Sequence, residues 1–144
     1  MISTENKQLL EGIYKSSKLG MDATELIIKK SDSKPLIKTL EAQFNEYHGM
    51  AREAGAILSK KEVLPCEASN ITKLISWGSI QLNTLADTSV SNVASVMIDG
   101  SSMGIKEATK LLRTNEQAEM SSKNLCKRLI EQEQNNIERL KKFL

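Results

Sequence analysis

The sequence predicts an all-α protein, a single four-helix-bundle domain over residues 1–144, and three observations carry that prediction. Apolar residues recur at alternating steps of three and four through most of the chain, the spacing that lines one face of an α-helix. Only two prolines and seven glycines interrupt 144 residues, of which 40% are hydrophobic, a composition of packed helices rather than of disorder. The stretch Ser16–Ile27, SSKLGMDATELI, returns in altered form as SSMGIKEATKLL at Ser101–Leu112. The chain therefore reads as two related helical hairpins.

The first helix is expected from Thr4 to Lys30, with Leu10, Ile13, Ser17, Gly20, Thr24 and Ile27 on one face. The middle of that face is small, and because a glycine inside a helix costs about 1 kcal/mol relative to alanine, Gly20 needs a packing reason. Ser31-Asp32-Ser33-Lys34-Pro35 is turn chemistry, its proline suited to a first helical turn. The second helix follows to about Lys61 on the stripe Leu36, Leu40, Phe44, Tyr47, Ala51, Ala54 and Leu58. So short a loop makes an antiparallel hairpin over about 4–61.

Pro65 breaks the pattern. Read as one piece, the apolar spacing from Ile71 to Leu111 would make a helix far longer than the globular norm. The internal echo divides it: advancing the first hairpin by 84 residues, the separation of Gly20 from Gly104, puts a second hairpin at about 88–144. That leaves about 67–87 as a crossover helix, with Asp87-Thr88-Ser89 to cap the new start; one long helix over 67–113 is the alternative. Thr114-Asn115-Glu116-Gln117 has capping-box spacing, so a helix is expected to start there. Its inner side would carry Leu125, Leu129, Glu133, Asn136, Ile137, Leu140 and Leu144, and Lys141 and Lys142 would complement its dipole.

Composition narrows the function classes. Twenty Lys plus Arg are interleaved with 18 Asp plus Glu for a net charge of +2, and only Phe44, Phe143, Trp77, Tyr14 and Tyr47 are aromatic. No strong field gathers phosphates and no aromatic platform stacks bases, so no nucleic-acid partner is expected. No apolar run approaches the ~20 residues that span a bilayer, and MISTENKQ lacks the apolar segment of a signal peptide; no membrane partner and a cytoplasmic location are expected. Cys66 and Cys126 stand alone, outside any metal or redox spacing, and are expected as reduced thiols. Neither a phosphate-binding glycine loop nor a Gly-x-Ser-x-Gly elbow is present.

Two hairpins joined by a segment long enough to run the length of a bundle, with the texture Tyr14-Lys15-Ser16-Ser17-Lys18-Leu19-Gly20-Met21-Asp22-Ala23 followed by Glu46-Tyr47, resemble small, uncharacterised bacterial ferritin-like four-helix-bundle families. The resemblance covers nearly the whole chain and implies the ferritin-like arrangement. Ferritin-like enzymes hold two metal ions with a glutamate from each of two helices and a Glu-x-x-His from each of the other two. Here the single histidine, His48, excludes two such motifs, and Glu46, Glu53 and Glu133 are followed three residues on by Gly49, Ala56 and Asn136. Glu46 and His48, two residues apart, point to opposite sides of a helix, so His48 reads as a packed or surface histidine. The resemblance is to a degenerate member without the di-iron motifs.

What remains for a metal is a set of carboxylates: Glu46 and Glu53 beside the apolar face of the second helix, Glu133 on the apolar side of the last, and Glu11 expected near the level of Glu53. Oxygen ligands of this kind suit hard cations; the opposing reading is that these glutamates pair with cations on neighbouring helices. The expectation is no catalytic residue, no enzyme and no cofactor, with a structural or protein-interaction role. A homo-oligomer, a dimer, is expected because Trp77 and Ile80 lie off the apolar stripe of their helix. Two alternatives stand beside it: an iron- or manganese-binding stress protein using Glu11, Glu46, Glu53 and Glu133, and an apolar small-ligand carrier with a loosely filled middle lined by Ser17, Gly20, Ser101 and Gly104.

Overall fold

Serine opens three of the four helices among the described residues. The computed structural model describes residues 2–61 and 85–144, in which α1 spans Thr4–Lys30, α2 Lys34–Lys60, α3 Val90–Thr114 and α4 Met120–Lys141. Ser3, Ser33 and Ser89 occupy the N-caps of α1, α2 and α3, where their hydroxyls accept the backbone N–H of Asn6, Leu36 and Asn92. Each bond satisfies a donor that the helix itself leaves orphaned, and is worth about 1 kcal/mol. The described residues contain no strand.

α1 packs along α2 and α3 along α4, and the hairpins meet through α1 with α3 and α4, and through α2 with α4. One end of the bundle fixes the directions. There the Gln117 N–H donates to Glu5 Oε2 at 2.8 Å and the Glu119 N–H to Asn6 Oδ1 at 3.1 Å, while the Lys61 ammonium reaches Glu119 at 3.2 Å. So α1 and α4 start at this end, and α2 and α3 finish at it. At the opposite end Ile27, Leu36, Leu40, Val93, Met97 and Leu140 form one apolar cluster. Helices α1 and α4 run parallel across the bundle, and the other packed pairs are antiparallel.

The echo locates the second hairpin closely: advancing Lys30 and Lys34 by 84 residues lands on 114 and 118, against Thr114 at the end of α3 and Met120 at the start of α4. Residues 85–89 are not helical, so one long helix over 67–113 does not form. The expected crossover helix falls, up to residue 84, outside the described residues.

Two expectations need correction. Thr114 ends α3 rather than capping α4, because its hydroxyl donates back to the Lys110 carbonyl at 2.9 Å and the Asn115 amide donates to the Leu111 carbonyl, also at 2.9 Å. Helix α4 instead begins after Glu119, which makes no side-chain cap bond. Leu144 is not an inner residue either; it lies beyond the end of α4 and is 63% exposed.

Candidate functional site

The core of this bundle is not apolar throughout. One apolar cluster, including Leu9, Leu10, Ile13, Met50, Leu58 and Leu129, fills the end where α1 starts, and the second cluster fills the other end. Between them in position along the helices lie buried polar side chains from every helix: Ser17 and Thr24 on α1, Gln43 and Tyr47 on α2, Ser101 on α3, Glu133 and Asn136 on α4.

Glu133 is the centre of this layer. The Tyr47 hydroxyl donates to its Oε1, the Asn136 amide donates to the same oxygen at 3.2 Å and to the Tyr47 oxygen at 3.3 Å, and the Ser101 hydroxyl approaches it at 3.3 Å. Two glycines make the room. A Cβ on Gly20 would lie 2.6 Å from Tyr47 Cε1, and one on Gly104 would collide with Glu133 Oε2. Ser17 and Gly20 recur in the echo as Ser101 and Gly104, so each hairpin opens a slot on its first helix for a large side chain of its second. The slots are full, and this corrects the expectation of a loosely filled middle at Gly20 and Gly104.

Burial pushes the Glu133 carboxyl up to about 7, opposed by the hydrogen bonds from Tyr47, Asn136 and Ser101 and assisted by the negative charge of Glu46. Against the ordinary 4.5, ionising Glu133 in the fold costs roughly 3 kcal/mol more than in the unfolded chain, at about 1.4 kcal/mol per pH unit. Tyr47 is also raised, by burial first and then by Glu133. The tyrosine therefore stays neutral, and Glu133 is the member that titrates.

The layer is tied to the bundle edge through Arg139. Its Nη2 donates to Asn136 Oδ1 at 3.0 Å and to both oxygens of Glu46, at 2.8 and 3.0 Å. Elsewhere in the layer two side chains lack partners among the described residues: neither end of the Gln43 amide nor the Ser17 hydroxyl makes a hydrogen bond there. Thr24 is satisfied within its own helix by the Gly20 and Met21 carbonyls.

The structure separates the four carboxylates singled out in the sequence. Glu11 lies 4.0 Å from Lys7, one turn earlier. Glu46 is paired with Arg139, and Glu53 makes a two-pronged contact with Arg128 at 3.1 and 2.7 Å. The hydrogen bond from Arg128 holds the Glu53 carboxyl below its ordinary range. Of the four only Glu133 is fully interior; Glu53 points to the half-exposed edge. Among the described residues no three His, Cys, Asp or Glu side chains are grouped as a metal site.

His48 is exposed and stacks on Phe44, with ring centroids 6.3 Å apart. Cys126 is buried, its thiol pushed up to about 12 by burial, and its Sγ donates to the Ala108 carbonyl at 3.5 Å; it is a core residue rather than a nucleophile. Cys66, Trp77 and Ile80 lie outside the described residues.

The sequence places Tyr47 in the apolar stripe without showing its polar partner, and Gln43, which is not in that stripe, is fully buried. The available signal was register. With the turn at 31–33, Tyr47 falls opposite Gly20, and Gln43 stands one turn from Tyr47 on the same face.

No protein-family model matches the chain, and no curated protein matches it. Among solved structures it is similar to a crystal structure of a DUF305 fragment from Deinococcus radiodurans. The TM-score is 0.78 and the identity 9%, over 98% of this chain and 95% of that one. At that identity the likeness speaks for the helical fold and for nothing finer.

Proposed function

We propose that the protein is a non-catalytic helical bundle of ferritin-like arrangement, acting as a structural or protein-interaction module. The arrangement is supported by the helix directions: two antiparallel hairpins, with α2 finishing at the end opposite to where α3 begins, as a bundle with one long crossover connection requires. The observation that carries the role is the fate of the carboxylates. Glu46 and Glu53 are matched with arginines of α4, Glu11 lies beside Lys7, and Glu133 is taken up by Tyr47, Asn136 and Ser101. The bonds of Glu46 and Glu53 and the Tyr47–Glu133 bond join hairpin to hairpin, Glu11 stays beside a lysine of its own helix, and the four leave no convergent set of ligands among the described residues.

The partner we propose is a second copy of the chain, on the strength of Trp77 and Ile80 in the sequence. Light scattering at micromolar concentration is expected to give the mass of a dimer, reduced to 16.0 kDa by Trp77→Lys. A wild-type monomer would remove the self-association reading.

A further inference from the structure

Tyr47 and Glu133 belong to different hairpins, and each is seated in a slot cut by a glycine of its own hairpin. Their contact and the Asn136–Tyr47 bond beside it are buried, whereas the ion pairs between α2 and α4, Glu46 with Arg139 and Glu53 with Arg128, are about a third to a half exposed. We propose that the Tyr47–Glu133 contact is a proton-operated clasp: a proton on Glu133 holds the two hairpins closed across the middle layer, and its loss loosens their docking.

The surroundings of Glu133 supply the reason. From α2 it faces Tyr47 and the negative charge of Glu46; from α3 it faces Ser101 and Gly104; on α4 the guanidinium of Arg139 is engaged by Glu46 and by Asn136 Oδ1. α1 presents Gly20 to the tyrosine ring. An ionised Glu133 thus has neutral donors around it and no cation in contact among the described residues. A charge in that setting must draw in water or part the helices that bury it.

Because the folded chain binds this proton more tightly than the unfolded chain, the stabilisation is complete below the unfolded value near 4.5 and is lost as pH rises through about 7. Within that window the folding constant falls by up to about tenfold per pH unit relative to a protein whose residue 133 does not titrate. The test is urea denaturation from about pH 5 to about pH 8.5, with chelator throughout, of the wild type and of Glu133→Gln, which keeps an acceptor for Tyr47 and Asn136. The wild-type midpoint is expected to fall relative to Glu133→Gln as pH rises; parallel profiles would overturn the clasp. A second reading needs no variant: the Glu133 carboxyl carbon resonance of the wild type should titrate above about pH 6, and a midpoint below about pH 5 would overturn it equally.

Discussion

Gln43 is the residue whose burial is hardest to justify by its contacts. Its amide is fully buried with neither end bonded among the described residues, and an unsatisfied buried polar group costs about 1–3 kcal/mol. Gln43→Met, close in volume and without polar ends, is expected to raise the urea midpoint by roughly 1–2 kcal/mol of stability; a fall would show that the amide is bonded to water. Tyr47→Phe keeps the ring against Gly20 and removes only the donor. It should cost about 1–2 kcal/mol and, since the Tyr47 bond favours the ionised form of Glu133, shift the Glu133 carbon titration to still higher pH. A lower midpoint would contradict the hydrogen-bond assignment. That Glu133 faces inward was legible from its place among Leu129, Asn136 and Leu140. Its partner was not, because the pairing crosses between hairpins and depends on how they dock.

At the scale of the helix, glycines with the same intrinsic cost have opposite meanings. Gly20 abuts a rigid ring fixed at its far end by Glu133, so Gly20→Ala is expected to destabilise by roughly 1–3 kcal/mol through overpacking. Gly49 has open space around it, and Gly49→Ala should stabilise by roughly 0.5–1 kcal/mol through helix propensity alone. Thermal denaturation of the two variants checks both signs. Across the hairpins, the Arg128–Glu53 pair is about half exposed on both sides, and Arg128→Ala should cost no more than about 1 kcal/mol. Helix boundaries followed the sequence where a serine caps the start, at Ser3, Ser33 and Ser89. They departed from it at α4, where the cap-like Thr114 is used to end the preceding helix and the start of α4 is held instead by Asn6 of α1. No local pattern announces a cap supplied from more than a hundred residues away.

Across the molecule, the repeat of Ser16–Ile27 at Ser101–Leu112 revealed the two-hairpin plan because it reflects a packing device: a small-residue slot on the first helix of each hairpin, filled from the second. What the repeat does not encode is the difference between the occupants, a tyrosine in one hairpin and a glutamate in the other, which makes the buried joint polar. On the function proposed above, Glu46, Glu53 and Glu133 are structural groups bonded within the protein itself. Elemental analysis by mass spectrometry, on protein purified without chelator or affinity metal, tests this most directly. The account predicts no iron or manganese above background, whereas either metal at near one equivalent per chain, lost in Glu133→Ala, would contradict it.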